Sequence, residues 1–177
     1  MNDFEELMAA FGIAGGDRAV LEDQAIAHLV VIGNRVVSSR GLAGLAVQAE
    51  ETESGVRLQI RLAEGVQLGT PVHTCFGVLH KAGNQQIEID LVLGHDSSAR
   101  FISHCLFPNA EKVRHCMDAR IRVEEGARME YQERHYHGPH GGVQVMPKAL
   151  VSIGRGGRYV SEFSLIDGYV MNPGGGG

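Results

Sequence analysis

Apolar and polar residues alternate along most of this chain, and a charged glycine turn interrupts the alternation at regular intervals. Ile121-Arg-Val-Glu-Glu-Gly126-Ala-Arg-Met-Glu-Tyr131 is followed by Val151-Ser-Ile-Gly-Arg-Gly156-Gly-Arg-Tyr159. Upstream, Ile60-Arg-Leu-Ala-Glu-Gly65-Val-Gln-Leu68 has the same form, and Leu91-Val-Leu-Gly-His-Asp-Ser97-Ser-Ala-Arg-Phe101 repeats it with serine at the turn. A period of two predicts strands with one buried face. Four copies at a spacing of roughly 28–32 residues predict a repeat architecture.

The first residues follow a different period. Phe4, Leu7, Met8 and Phe11 fall at helical spacing, with Asn2 or Asp3 as a cap and Gly12 as a stop, so residues 3–11 predict a short amphipathic helix. Gly15-Gly16 reads as a hinge, residues 25–38 as a hairpin around Gly33-Asn34, and residues 41–49 as a lead-in to the repeats, followed by an acidic turn at 50–54. From Val56 onward few helical patterns separate the strands, which disfavours βαβ crossovers. Similar coils with matching turns form either an antiparallel meander or a stack in which each strand lies on its equivalent in the previous coil. The recurring glycine turn favours the stack, an all-β parallel β-helix with a short N-terminal helix, over a jelly roll or cupin barrel. The expected division is residues 1–20 as helix and linker, 21–170 as β-helix core, and 171–177 as a glycine tail. A tail of Pro and Gly buries nothing, so the last coil is expected to need a cap or to pair through its edge with another chain.

Composition adds exclusions. The 24 glycines suit short strands and tight turns. A net charge of −5 offers no basic footprint for nucleic acid. No apolar run is long enough to span a bilayer and no secretory leader is evident, so no membrane association and a cytoplasmic location are expected. Cys75, Cys105 and Cys116 are an odd set and read as reduced thiols rather than as a disulfide framework.

Candidate chemistry lies with histidine and cysteine. His73, His104 and His135 recur about one repeat apart, and Cys75 and Cys105 stand beside the first two. If the coils stack in register, these side chains form a ladder along one strip with neighbours about 4.8 Å apart. Imidazole and thiolate together suit iron or zinc. His73 and Cys75 can share a face, whereas His104 and Cys105, being adjacent, point to opposite faces. His135 and His137, in the run His135-Tyr-His-Gly-Pro-His140, project to one side and form a second two-ligand candidate. The alternative for all of these is hydrogen-bonded structural histidine and small buried thiol. No Gly-x-Ser-x-Gly elbow or Walker lysine loop is present, and Gly154-Arg-Gly-Gly157 precedes a strand, so it lacks a helix N-terminus to hold phosphate.

The run 119–131, with His135-Tyr-His-Gly138, Gly142-Val-Gln-Val-Met-Pro-Lys-Ala149, Gly156-Gly-Arg-Tyr159 and Phe163, resembles the core of the SufB/SufD family. Pro71-Val-His-Thr-Cys-Phe-Gly77 and Ser103-His-Cys-Leu-Phe-Pro-Asn-Ala110 look like its short stand-alone members. The likeness covers residues 21–168. It implies a right-handed parallel β-helix, pairing of two such subunits, and attachment of SufC, an ABC-type ATPase. It also implies a scaffold or accessory role in iron–sulfur cluster assembly with no substrate turnover of its own, and a transient cluster or iron as cargo. The family's late cysteine, its His/Glu motif and the helical segment that docks the ATPase have no counterpart in these residues, so no catalytic residue is carried over and ATPase docking is not expected of this stretch alone. Two other classes remain open: a cupin-like metal enzyme using His135 and His137, and a structural half-domain without activity.

Overall fold

A computed structural model describes residues 2–168; the expected glycine tail lies outside the described residues. The elements are α1 (Asp3–Ile13), α2 (Ala19–Glu22), β1 (His28–Ile32), β2 (Arg35–Arg40), β3 (Leu45–Glu51), β4 (Gly55–Leu62), β5 (Val72–Gly77), β6 (Ala82–Leu93), β7 (Ser98–Leu106), β8 (Lys112–Val123), β9 (Arg128–Tyr136), β10 (Val143–Ile153) and β11 (Arg158–Asp167).

The strands form two sheets, ordered β11-β9-β7-β5-β1-β2 and β10-β8-β6-β4-β3. From β4 onward each coil places one strand in the second sheet, turns, places one in the first, and returns. All of these neighbours pair in parallel. The result is a parallel β-solenoid of about four turns, as the repeat pattern predicts, and not the antiparallel barrel of a cupin. At its N-terminal side two hairpins reverse the direction: β1 pairs antiparallel with β2, and β3 with β4. The lead-in at 41–49 and the acidic turn therefore belong to a hairpin, whose strand β3 occupies one sheet edge while β2 occupies the other. No helix among the described residues is long and apolar enough to cross a membrane.

The repeated turn depends on one left-handed residue per coil. Gly65, Gly126 and Gly156 have φ of 71°, 70° and 69°, and Asp96 fills the equivalent place at 54°. In that coil the turn is carried by aspartate, which tolerates this conformation better than most residues, and Ser97 follows it.

Helix α1 is capped by the Asn2 side chain, which accepts from the Glu5 backbone N–H at 2.9 Å. It continues through Gly12 to Ile13 and ends in a Schellman motif, with Gly16 N–H donating to Phe11 C=O at 2.8 Å and Gly15 at φ 79°. Its buried face, with Leu7, Met8 and Phe11, packs on Val30, Cys75 and Leu106 of the first sheet's outer surface. The space between the sheets is filled by two apolar clusters, one around Leu93, Phe101 and Val123, the other around Phe76, Ile87 and Phe107.

Candidate metal centre

Parallel register places Val31, Phe76, Cys105 and His135 in one inward-facing column of the first sheet, and Leu29, Thr74, Ser103 and Glu133 in the next. The interior is apolar in the early coils and turns polar at β7 and β9. There Cys105, Glu133 and His135 bring one donor atom each to within 4.8 Å of one another. Cys105 and His135 are fully buried and the Glu133 side chain is 13% exposed.

A hydrogen-bonded chain runs through this group. The Tyr131 hydroxyl donates to Glu133 Oε2 at 2.9 Å, and Glu133 Oε1 lies 2.6 Å from His135 Nε2. His135 Nδ1 is 3.1 Å from His137 Nε2. Burial opposes ionisation of Glu133, but the bonds from His135 and Tyr131 outweigh it and hold the carboxyl below its ordinary range. A carboxylate only accepts, so His135 Nε2 carries the proton in this pair. Burial, reinforced by the Glu133 charge, pushes the Cys105 thiol well up. Across the interior His115 of β8 lies with its ring centroid 6.1 Å from that of His135, and its Nδ1 donates to Gln85 Oε1 at 2.9 Å.

Access to Glu133 is from an apolar cavity of about 280 Å³ between the sheets at the third and fourth coils, lined by Met117, Met129, Tyr131, Pro147 and Phe163 among others. The Phe163 ring lies 4.8 Å from that of His135. Thiol, imidazole and carboxylate at these distances form a mixed S/N/O donor set of the kind that suits iron or zinc.

The sequence is similar to two curated proteins. One is an iron–sulfur cluster assembly SufBD family protein of Methanocaldococcus jannaschii, 32% identical over 143 residues, which cover 81% of this chain and 45% of that protein. The other, of the same description, is from Pyrococcus horikoshii, 30% identical over 165 residues, 93% of this chain and 50% of that protein. The chain belongs to the SufBD family. It spans about half the length of the curated relatives it matches. No family model matches it. No solved structure matches it significantly.

In this SufBD chain the expected ladder of His73, His104 and His135 is divided between two surfaces. The two intervals are each 31 residues, but the register aligns Val72 with Phe101 and Phe101 with Tyr131, steps of 29 and 30. His73 therefore pairs with Ile102, His104 with Cys75 and Arg134, and Cys105 with His135. His104 faces outward under α1, its ring 4.6 Å from Phe11. His73 and Cys75 share that outer face. His135 faces inward because a slip of one residue reverses the side. The structure thus groups Cys105, His135 and His137 inside the solenoid, and His73, Cys75 and His104 outside it. Sequence reasoning missed Glu133, Tyr131, His115 and Gln85. Glu133 was discoverable, because Glu133, His135 and His137 alternate on one strand face; a search for carboxylates after the histidines passes over one that precedes them. His115 comes from the opposite sheet, and only the register of coils reveals it.

Proposed function

We propose that this chain takes part in iron–sulfur cluster assembly as a scaffold component, holding iron as cargo through Cys105, Glu133 and His135. The observation that carries this reading is the convergence of those three donors within 4.8 Å inside a solenoid whose relatives are named for cluster assembly. Binding a ferrous ion displaces the Cys105 thiol proton to solvent and moves the His135 proton from Nε2 to Nδ1, where the His137 ring stands 3.1 Å away, leaving thiolate, neutral imidazole and carboxylate facing the dication. Without a cation the buried thiol stays protonated, and it gives up its proton only when an ion compensates the thiolate. The same reading makes the chain a holder of iron and sulfide rather than a catalyst of turnover.

The test is anaerobic reconstitution with ferrous iron and sulfide, followed by visible absorption and iron and sulfide analysis. Cluster absorption is expected in the unsubstituted chain and in Cys75→Ala, and is expected to be lost in Cys105→Ala and His135→Ala. Equal cluster loading of the Cys105→Ala/His135→Ala double variant defeats the assignment of these ligands.

A further inference from the structure

The outer face of the first sheet holds a second set of nitrogen and sulfur donors, well separated from the interior by the sheet itself. Cys75 and His104 occupy directly paired positions on adjacent parallel strands, and His73 lies two residues before Cys75 on the same face. Cys75 is 2% exposed and His104 is 1% exposed, both covered by α1 through Leu7, Met8 and Phe11. His73 is half-buried and opens this strip to solvent.

Three ring nitrogens here are anomalous. His104 Nδ1, His104 Nε2 and His73 Nδ1 are buried and have no hydrogen-bond partner among the described residues. Buried polar atoms are ordinarily paired, and each exception calls for a physical reason. An imidazole with both nitrogens bare, sealed beneath a helix, is poorly suited to a purely structural place that leucine or phenylalanine would fill without an unmet polar atom. The neighbouring thiol is equally without charge compensation, and burial raises its pKa. Bare imidazole nitrogens and a thiol on one strip are the donor types that borderline divalent cations prefer.

We propose that His73, Cys75 and His104 form a second site for a borderline divalent cation such as zinc or ferrous iron, distinct from the interior group and covered by α1. The cation enters from the His73 side. Cys75 loses its thiol proton to solvent as the metal–sulfur bond forms, and no electron is transferred. In the described form the three donors are not converged, since the interior group is the set of three within 4.8 Å among the described residues. Only Cys75 and His104 stand on paired positions, about 4.8 Å apart; His73 lies two residues along the strand, so binding requires both rings to rotate toward the Cys75 thiol. The charged neighbours are Arg134, register partner of His104, whose Nη1 donates to the Gly15 carbonyl at 3.4 Å, and Arg100, which acts on His73. Their positive charge disfavours a bare cation, and the Cys75 thiolate offsets part of it.

Cobalt(II) is the probe, because thiolate ligation gives a charge-transfer band that imidazole and water do not. In a Cys105→Ala background, which removes the interior thiol, one equivalent of cobalt is expected to bind with that band present. Adding Cys75→Ala abolishes the band, adding His104→Ala weakens binding at least tenfold, and adding Cys116→Ala changes nothing. A folded Cys105→Ala chain that takes up cobalt without the band, or a band that survives Cys75→Ala, overturns the proposal. Should Cys105→Ala fail to fold, native mass spectrometry of the unsubstituted chain decides. Two cobalt ions are expected, one of them lost in Cys75→Ala; the same count in both chains overturns the site. Failure here leaves the interior reading standing, since that reading is tested by Cys105 and sulfide.

Discussion

His115 shows how a single side chain ties the stability of this solenoid to pH. It is 1% exposed, its Nδ1–H is committed to Gln85, and Gln85 in turn donates to the Gly33 carbonyl at 2.8 Å. Burial, with the nearby His135 charge adding to it, lowers the His115 pKa to about 3 from 6.5. The unfolded chain thus binds a proton that the folded chain refuses, so stability is complete above the unfolded value and is lost as pH falls through the window between about 6.5 and about 3. One proton corresponds to about 1.4 kcal/mol per pH unit within that window. Glu133, held below its ordinary range, adds loss in the same direction at the acid end. The urea midpoint is therefore expected to be flat near neutrality and to fall steadily as the solution is acidified. His115→Gln should remove about one proton from that slope, and an unchanged slope in the variant shows that the burden lies elsewhere.

At the level of elements, the turn of each coil carries the architecture. Gly126 sits at φ 70°, and a methyl group there would collide with the Asp96 carboxylate of the previous coil. Gly65 has a similar φ of 71° and nothing within 4 Å of the same position. Left-handed backbone costs an L-residue about 1–2 kcal/mol, so Gly65→Ala is expected to lower the thermal midpoint by roughly 2–8 °C. Gly126→Ala should lower it somewhat further, because the Asp96 carboxylate must also rotate aside. Equal midpoints for the two variants would rule out the contact with Asp96. The outer ion pairs that join coils, such as the half-buried Arg61–Asp90 at 2.6 Å and the exposed Arg155–Glu125 at 2.6 Å, remain open to solvent and each add little by comparison. These turns are also why the fold was legible in the sequence: alternation and one glycine per coil are local signals. Register was not legible. Gln67 bridges Ser98, a step of 31, while Val72 pairs with Phe101, a step of 29, so the segment around Gly69-Thr70-Pro71 absorbs two extra residues before β5. Composition cannot reveal such an insertion, yet it decides that His73 aligns with Ile102 rather than with His104. The interior site was half legible for the same reason: Cys105, His135 and His137 follow from type and alternation, and their meeting with His115 follows only from how the coils stack.

Across the whole molecule the two sides of the solenoid differ in how they are finished. On the N-terminal side β2 and β3 run against the parallel direction and α1 covers the outer face, so the stack begins with dedicated covering elements. On the other side β10 and β11 are the outermost strands of their sheets among the described residues. There Ile153, whose register partner Val123 is 1% exposed in the core, is 50% exposed; Leu150 is 68% and Ile166 is 44% exposed. Parallel edge strands with apolar side chains are templates for another strand; Ile153 continues the core column of Val123, while Leu150 stands on the outer face above the exposed Arg120. The 177-residue chain is therefore expected to associate, with light scattering giving a mass above 19.1 kDa that rises with concentration. Leu150→Lys with Ile153→Lys should return it toward the monomer mass while leaving Cys105, Glu133 and His135 in place, since both residues lie on the sheet opposite those three. A constant monomer mass for the unsubstituted chain would show that these apolar edges do not drive association, and the charged pair would then have nothing to disrupt.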